Sequence, residues 1–321
     1  RRRTSVLAKN LERMGITNAL ITNETPERLA SRWRGLFDAV MVDAPCSGEG
    51  MFSRDPRAAH DWSLQTVAHY AQIQKDMLDD VAPLVRPGGR ILYGTCTFSP
   101  EEDEGVIDAF LNSHQDFQIV ALPEFQDLYP GQPQWVNAAE ALKLAGRFWP
   151  HKGPGHGHFY ALLQRTGTLP IDLPERWKQM NVPGRVYKLY EQAIADILVT
   201  KPSNAGLLLT SEDDLYITPM DPKLWSDLRV LRPGLWVASL RHNKIMPDHA
   251  LAMTLKPEDV QRHVQLSADD PRLHNYLDGS VWIDNGATGI VYISLDGFPL
   301  GWAKRVEGKL RSRYPVHLRR S

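Results

Sequence analysis

The sequence is poor in cysteine and has no long apolar run. Two cysteines in 321 residues do not make a disulfide framework, and they are too few for a structural zinc site unless other ligands complete it. No apolar run approaches the roughly 18 residues that a membrane-spanning helix needs. The first residues carry no signal-peptide core. These absences exclude the disulfide-rich secreted class and the membrane class, and we expect a cytoplasmic protein.

Charge is balanced over the whole sequence but not along it. The formal net charge is −1 with histidine neutral, and the hydrophobic and charged fractions are ordinary for a globular protein. Residues 301–321 hold seven lysines and arginines against a single acid, Glu307. A basic segment on a near-neutral protein favours an anionic partner, although a solvated terminus explains the same pattern.

The order of predicted elements favours an α/β fold followed by a second region. A length of 321 residues corresponds to about two domains. The apolar patterns predict strands at 18–22, 37–43, 90–93, 117–120 and 158–163, which alternate with helices at 26–32, 62–85 and 100–110. The strand at 37–43 is expected to be buried. This alternation is typical of a doubly wound α/β sheet.

The composition changes after residue 165. Residues 166–183 are rich in proline and polar side chains and indicate a linker, and 186–198 form an amphipathic helical pattern. From residue 206 onward the pattern predicts short strands at 207–210, 215–218, 235–240 and 289–294. We expect a smaller α+β or barrel-like module there, or two of them.

Both cysteines follow predicted strands at the point where each strand ends. Cys46 lies in the loop 43–50, in which Pro45 fixes φ and two glycines permit tight geometry, and Cys96 follows the strand at 90–93. Ligands bind at the carboxyl ends of parallel strands, so both thiols could reach one cleft. A thiolate nucleophile with a second thiol as acid or base is one explanation. Incidental buried cysteines or a disulfide are the others, and a reducing compartment disfavours the disulfide.

Several segments carry a resemblance to a known family. They are 37–52 (FDAVMVDAPCSGEGMF), 84–97 (LVRPGGRILYGTCT), 146–152, 157–159, 296–302 and 314–315. Together they resemble the RNA cytosine-5 methyltransferases of the Nop/Sun family, in particular the bacterial RsmF-like branch, which modifies small-subunit ribosomal RNA. The paired Pro-Cys and Thr-Cys motifs are highly specific, and the resemblance extends over nearly the whole sequence.

This resemblance implies an S-adenosylmethionine-dependent RNA (cytosine-5) methyltransferase. In this family the Thr-Cys cysteine, here Cys96, is the nucleophile that adds to C6 of the cytosine, which makes C5 able to take the methyl group. The Pro-Cys cysteine, here Cys46, assists release of the product. Asp43 would hydrogen-bond the base edge or the methionine end of the cofactor, and Thr25 or Asn23 is the candidate adenine contact. The target base must leave its stack to reach such a site.

The resemblance also implies a domain order and a partner. The expected domains are a Rossmann-like class I methyltransferase domain at 1–167, a linker helix with a small α+β module at 168–262, and a PUA-like RNA-binding module at 263–321. The expected partner is ribosomal RNA or the small ribosomal subunit, with transfer RNA as the alternative substrate. Trp302 is the aromatic residue expected to contact RNA. His151, His156 and His158 form a loop that we expect to line the cleft, and we expect no metal.

Two departures from the family pattern qualify these expectations. The glycine-rich S-adenosylmethionine loop and the acidic ribose-binding residue have no counterpart here, which predicts an N-terminally truncated chain with poor cofactor binding. Relatives carry Arg-Lys-Asp after Met-Phe, whereas this sequence has Ser53-Arg54-Asp55, so Arg54 would serve as a cation with altered geometry. A non-catalytic RNA-binding relative is therefore the rival interpretation, although a pure binder has no need of two thiols.

Overall fold

The computed structural model describes residues 2–153, 155–167, 179–200 and 205–319. The chain divides into two compact units, residues 24–174 and residues 1–23 together with 175–321. We call the first the α/β unit and the second the β-rich unit. The predicted linker at 166–183 falls mostly outside the described residues, as does the end of the basic segment at 301–321.

Helices and strands are numbered in chain order. The helices of the described ranges are α1 (Arg2–Arg13), α2 (Pro26–Arg32), α3 (Pro56–Asp61), α4 (Leu64–Val81), α5 (Glu104–Ser113), α6 (Gly184–Ile197), α7 (His249–Ala252) and α8 (Pro271–Asp278). The strands are β1 (Ile21–Thr22), β2 (Phe37–Asp43), β3 (Val85–Thr95), β4 (Phe117–Val120), β5 (Leu128–Pro130), β6 (Gly146–Phe148), β7 (His158–Arg165), β8 (Leu207–Leu209), β9 (Asp214–Ile217), β10 (Val230–Arg232), β11 (Leu235–Arg241), β12 (Lys244–Pro247), β13 (His263–Leu266), β14 (Val281–Ile283), β15 (Gly289–Leu295), β16 (Phe298–Val306) and β17 (Lys309–Ser312). None of these helices combines the length and the apolar character that crossing a membrane requires.

The α/β unit contains one sheet with the strand order β2-β3-β7-β6-β5, and β4 also pairs with β7. Helices α2, α4 and α5 and strands β2, β3, β4 and β7 confirm the predicted alternation. β2 and β3 are parallel, whereas β7 runs antiparallel to β3, β4 and β6. The sheet is therefore mixed, since β2 and β3 form a parallel pair whereas the other described pairs are antiparallel.

The hydrophobic core of the α/β unit lies between the sheet and helices α4 and α5. Ser63 caps the start of α4, and the helical spacing then buries Val67 and Leu78. Ile91 and Tyr93 are fully buried from the sheet side. Burial of one such side chain contributes about 1.5–3 kcal/mol. This packing fixes the ends of β2 and β3, where both cysteine-bearing loops begin.

β2 is an edge strand in the described part of the sheet, where it pairs with β3 alone. Met41 is 67% exposed, and Asp38 and Ala39 are exposed as well, although Val42 is buried. The predicted burial of this strand is therefore wrong for most of its length. An apolar run is typical of a strand covered on both faces, and sequence alone does not show which neighbours a strand has.

Three sheets lie in the described residues of the β-rich unit. A four-stranded sheet has the order β12-β11-β9-β8, a five-stranded sheet has the order β13-β15-β16-β17-β14, and β1 pairs with β10. The predicted strands at 207–210, 215–218, 235–240 and 289–294 are confirmed as β8, β9, β11 and β15. The strand predicted at 18–22 is reduced to β1, and its antiparallel pairing with β10 contradicts its expected place in the α/β sheet.

Trp302 belongs to the core of the β-rich unit. Only 2% of the surface of Trp302 is exposed. Its Nε1 donates a hydrogen bond to the Asp248 carbonyl at 2.7 Å, and its ring lies edge-to-face on Tyr292. The expectation that Trp302 contacts RNA is wrong, because its ring has no free face on which a base could stack. The bulk and the indole N–H of tryptophan are used here for packing and for one internal hydrogen bond.

Candidate active site

Cys46 and Cys96 meet at one edge of the sheet in the α/β unit. β2 and β3 are parallel neighbours, in a register that sets Asp43 opposite Gly94. The segments after them, residues 44–52 (the Cys46 loop) and 96–103 (the Cys96 loop), therefore start side by side. The two Sγ atoms are 3.3 Å apart, and both cysteines are free and half-buried. The structure confirms that the two thiols lie together at this edge of the sheet.

The two thiols differ in acidity. A hydrogen bond from the Cys46 thiol lowers the pKa of Cys96 to about 7, against the opposing effects of burial and of the Asp43 charge. The same hydrogen bond, together with burial, raises the pKa of Cys46. Cys96 is therefore the thiol of the pair that ionises first, while Cys46 keeps its proton. The thiolate is the nucleophilic form of cysteine.

Glu49 in the Cys46 loop binds three consecutive residues of the Cys96 loop. Its Oε2 accepts a hydrogen bond from the backbone N–H of Phe98 at 2.8 Å and from the hydroxyl of Thr97 at 3.2 Å. Its Oε1 accepts one from the hydroxyl of Ser99 at 2.8 Å. One side chain therefore fixes the backbone that directly follows Cys96.

Glu102 in the Cys96 loop binds the Cys46 loop in return. Its Oε2 accepts hydrogen bonds from the backbone N–H of Ser47 at 3.0 Å and from the side-chain amide of Gln74 at 2.8 Å. Gln74 also donates to the carbonyl of Pro45 at 2.8 Å. The hydroxyls of Ser47 and Thr97 are hydrogen-bonded at 2.9 Å. Polar side chains thus connect the two loops in both directions.

A buried ion network lies behind the Cys96 loop. α5 begins at Glu104, and Glu102, Asp103 and Glu104 are fully buried. Arg147, itself 1% exposed, donates from Nε to Glu104 at 2.8 Å and pairs through Nη2 with Asp103 at 3.0 Å. Asp103 also accepts a hydrogen bond from the Thr95 hydroxyl at 2.6 Å. The strand that carries Cys96 is thereby anchored to buried charges.

Sequence reasoning missed the roles of Glu49, Glu102 and Arg147. The acids at 101–104 suit the dipole of a following helix, which explains them without any contact to the cysteines. The available signal was that these acids lie only a few residues after the Thr-Cys motif at 95–96. Burial of several acids requires a buried cation, and the sequence does not show that Arg147 supplies it.

Asp43, His158 and Tyr160 lie near the thiols. Tyr160 on β7 pairs with Gly94 on β3, where a Cβ would come within 2.7 Å of the tyrosine ring. The rings of His158 and Tyr160 stack with centroids 5.8 Å apart. Burial lowers the pKa of His158, and the negative charge of Asp43 opposes this effect. Asp43 is exposed at the end of β2, so its carboxylate is available to a ligand.

The remaining candidate residues are engaged locally or lie in the other unit. Thr25 caps α2, since its Oγ1 accepts the backbone N–H of Arg28 at 3.4 Å. Asn23 belongs to the β-rich unit, where its Oδ1 accepts a hydrogen bond from Thr4 at 3.2 Å. Arg54 is exposed after the Cys46 loop. The adenine contact expected of Asn23 or Thr25 stays a prediction.

The histidine-containing loop before β7 reaches the Cys46 side of the cleft. His156 Nδ1 is 3.1 Å from the hydroxyl of Ser53, and its carbonyl would be 2.8 Å from a Cβ at Gly50. This loop therefore packs against the Cys46 loop, and its role in lining the cleft stays a prediction. In the described ranges, no three histidine, cysteine or acidic side chains are grouped so that they could hold a metal ion.

Three family models match consecutive parts of the chain. The model described as 16S rRNA methyltransferase RsmB/F matches residues 1–164. The RsmF rRNA methyltransferase first C-terminal domain matches residues 194–255, and the methyltransferase RsmF PUA domain matches residues 264–320.

Curated relatives match nearly the whole chain at low identity. The ribosomal RNA small subunit methyltransferase F of Vibrio vulnificus (strain YJ016) is 28% identical over 325 residues, which cover 98% of this chain and 66% of the relative. The protein of the same name from Escherichia coli O7:K1 is 28% identical over 338 residues, with the same shares covered. The chain therefore spans 66% of the length of each. Among solved structures, a methyltransferase homolog protein from Pyrococcus horikoshii is 25% identical, with a TM-score of 0.44, over 51% of this chain and 50% of that one.

Proposed function

Because the chain belongs to the RsmB/F family of 16S rRNA methyltransferases, we propose that it methylates C5 of a cytosine in 16S ribosomal RNA, with S-adenosylmethionine as the methyl donor. The observation that carries this proposal is the thiol pair at the ends of β2 and β3, whose Sγ atoms are 3.3 Å apart. We propose the small ribosomal subunit or its RNA as the substrate, and the cytoplasm as the place of the reaction.

We assign the nucleophile to Cys96. Its thiolate sulfur forms a bond to C6 of the cytosine, and the electrons of the C5–C6 double bond shift toward C4 and N3. The resulting enamine makes C5 nucleophilic. A pKa of about 7 for Cys96 supports this role, because the thiolate is then present near neutral pH without a separate base.

Asp43 would stabilise the adduct. Negative charge that shifts onto N3 as the Cys96–C6 bond forms is offset when N3 takes a proton from solvent. A carboxylate can then accept a hydrogen bond from that N3–H or from the exocyclic amine. Asp43 is exposed at the end of β2 and directly precedes the Cys46 loop, which is the position that such a contact requires. Preorganised charge of this kind is a large contribution to catalysis.

We assign product release to Cys46. While Cys96 is a thiolate, the hydrogen bond between the two thiols raises the pKa of Cys46. Once the Cys96 sulfur is bonded to C6 it carries no charge, so this cause disappears and the pKa of Cys46 falls, although burial still raises it. Cys46 then loses its proton to solvent, and its thiolate takes the proton from C5 of the methylated adduct. The C5–H electrons re-form the C5–C6 double bond, and Cys96 leaves as thiolate.

S-adenosylmethionine, when bound, supplies the methyl group as an electrophilic carbon on a sulfonium. As the alternative to its contact with the base, the exposed Asp43 carboxylate would fit the ammonium group at the methionine end. The chain's residues do not fit the adenosine end in the same way: Thr25 is already engaged as a helix cap, and Asn23 belongs to the other unit. We therefore derive no step from contacts to the adenosine.

A methyl-transfer assay tests the proposed function. The protein is incubated with radiolabelled S-adenosylmethionine and purified small ribosomal subunits, and label in RNA is counted and mapped to 5-methylcytosine. With S-adenosylmethionine in large excess, to offset the weak cofactor binding expected from the sequence, we expect transfer by the unmodified protein and none by Cys96→Ala. RNA binding without transfer would support the non-catalytic relative, and transfer that Cys96→Ala leaves intact would refute the assigned nucleophile.

A further inference from the structure

The two cysteine-bearing loops hold each other through a reciprocal pair of acids. Glu49 belongs to the Cys46 loop and binds the Cys96 loop, whereas Glu102 belongs to the Cys96 loop and binds the Cys46 loop. We call Glu49 and Glu102 the carboxyl clasp. The proposed reaction does not use Glu49 or Glu102 as an acid or a base, so we ask what their contacts do for the two loops.

The contacts of Glu49 are concentrated directly after the nucleophile. Both of its oxygens are used, and its partners are the three residues that follow Cys96 in sequence, namely Thr97, Phe98 and Ser99. Hydrogen bonds to a carboxylate are stronger than neutral ones. With three successive residues held from the opposite loop, the Cys96 side chain has little freedom to swing away from Cys46.

The backbone reinforces the same geometry. The N–H of Gly50, next to Glu49 in sequence, donates to the carbonyl of Cys96 at 2.8 Å. The hydroxyl of Ser47, next to Cys46, meets the hydroxyl of Thr97 at 2.9 Å. Ser47 follows Cys46 and Thr97 follows Cys96, so each cysteine has a neighbour that is hydrogen-bonded to the other loop. The 3.3 Å separation of the sulfurs therefore depends on both loops together.

Glu102 differs from Glu49 in a way that separates their roles. Glu102 Oε2 accepts two hydrogen bonds, but its Oε1 is buried without a partner. Its contacts lie on the Cys46 side, at Ser47 and Pro45 through Gln74. Glu102 therefore supports the Cys46 loop, and Glu49 is the member of the clasp that acts on the nucleophile.

We propose that Glu49 is a positioning residue that holds the Cys96 sulfur at hydrogen-bonding distance from the Cys46 thiol, and thereby keeps Cys96 in its reactive form. This inference deepens the proposed function and rests on it only for its catalytic meaning. The geometric statement concerns two thiols and one carboxylate of this chain, and it can be measured without cofactor or RNA.

The direction in which Glu49→Gln shifts the pKa of Cys96 distinguishes a positioning role of Glu49 from a purely electrostatic one. Removal of a nearby negative charge makes it easier for a thiol to ionise, so a purely electrostatic effect of Glu49 predicts that Glu49→Gln lowers the pKa of Cys96. Loss of the Cys46 hydrogen bond has the opposite effect, because that bond is the main cause that lowers the pKa of Cys96. Positioning therefore predicts a rise.

The experiment is the pH dependence of alkylation at Cys96. The protein without ligands reacts with iodoacetamide between pH 5.5 and 9.5, and mass spectrometry follows the peptide that contains Cys96. For Glu49→Gln we expect the midpoint to rise by about one pH unit, which lowers the rate at pH 7 about fivefold. Ser99→Ala, which removes one of the three donors to Glu49, is expected to shift the midpoint in the same direction by less.

Glu101→Gln is the matched control. Glu101 is exposed and belongs to the Cys96 loop. This variant therefore removes one negative charge from that loop and changes neither member of the carboxyl clasp. We expect its midpoint to stay or to fall slightly. A Glu49→Gln midpoint that stays or falls like that of Glu101→Gln would overturn the proposal, and Ser99→Ala gives the same decision if Glu49→Gln does not fold.

Failure of the clasp and failure of the proposed function are distinguishable. If the alkylation midpoint responds as expected but the unmodified protein transfers no methyl group, the positioning role stands and the proposed function fails. If methyl transfer is found but Glu49→Gln alkylates like Glu101→Gln, the proposed function stands and the positioning role is refuted.

Discussion

The sulfur of Cys46 lies 3.3 Å from the sulfur of Cys96, which is hydrogen-bonding distance for a thiol and a thiolate. This contact favours the state in which one thiol of the pair is ionised and the other keeps its proton. It lowers the pKa of Cys96 to about 7 and raises the pKa of Cys46. Cys96 can therefore act as the nucleophile while Cys46 keeps its proton, which Cys46 must lose before it can take the proton from C5 in the later step.

Substitution of Cys46 by alanine removes the donor of this hydrogen bond. We expect the alkylation rate of Cys96 in the unmodified protein to rise with pH around a midpoint near 7. In Cys46→Ala the midpoint should move upward toward the ordinary range of cysteine, about 8.5, because burial and the Asp43 charge then act unopposed. Iodoacetamide labelling followed by mass spectrometry gives the midpoint, and an unchanged midpoint would contradict the assigned direction of the hydrogen bond.

The same substitution should separate the two halves of the reaction. Cys46→Ala retains the nucleophile but lacks the group assigned to proton removal, so we expect a covalent protein–RNA adduct to accumulate. Denaturing gel electrophoresis with labelled small-subunit RNA and S-adenosylmethionine would show a slowly migrating protein band. The double variant Cys46→Ala/Cys96→Ala is the control and should show none. An active protein whose Cys46→Ala variant forms no adduct would refute the release role.

Gly50 is required by close contact between backbones. A Cβ at this position would lie 2.8 Å from the carbonyl oxygens of both Cys96 and His156. Backbone atoms cannot yield as the end of a flexible side chain can, so Gly50→Ala should destabilise the fold by about 1–3 kcal/mol and move the Cys96 loop. Urea unfolding measures the first effect and the alkylation rate of Cys96 the second.

Gly184 is the matched control for this substitution. A Cβ there meets nothing within 4 Å, and the residue opens α6. Because alanine favours helix more than glycine does, Gly184→Ala should leave the free energy of unfolding unchanged or slightly raised. Equal losses in Gly50→Ala and Gly184→Ala would show that the contacts at Gly50 are not the cause.

The sequence was sufficient to locate the thiols but not their support. Two predicted strands that are each followed by a cysteine-bearing loop indicate that the thiols lie together, because parallel strands place their carboxyl ends at one edge. The parallel pairing of β2 and β3 confirms this. The partners of Glu49 and Glu102 could not be predicted, since hydrogen bonds between loops about 50 residues apart in sequence leave no periodic pattern.

The errors have a common origin in tertiary context. The apolar strand at 37–43 was expected to be buried, yet β2 is an edge strand with Met41 67% exposed. Trp302 was expected to meet RNA, yet it packs inside the β-rich unit with its indole N–H bonded to Asp248. The type of a residue indicates how readily its side chain is buried. Whether the side chain is in fact buried or exposed depends on neighbours from distant parts of the chain.

The buried arginine behind the Cys96 loop should be one of the most costly positions to change. Arg147 is 1% exposed and pairs with Asp103 and Glu104, which are fully buried. Arg147→Met keeps much of the side-chain volume but leaves two buried acids without their cation. Removal of one partner from a buried ion pair typically costs about 3–5 kcal/mol, and we expect a loss of this size near neutral pH by urea unfolding.

The pH dependence of that loss tests its cause. Burial already raises the pKa of Asp103, and Arg147 opposes this rise; without Arg147 the pKa of Asp103 rises further. A carboxyl group whose pKa is raised in the folded state destabilises the fold as pH rises from its unfolded value through the folded one. The loss in free energy of unfolding caused by Arg147→Met should therefore become smaller as the pH is lowered from 8 to 5. Lys143→Met, which removes an exposed pair with Glu140, should show little loss at either pH, and a deficit in Arg147→Met that did not change with pH would point to packing rather than to the unpaired acids.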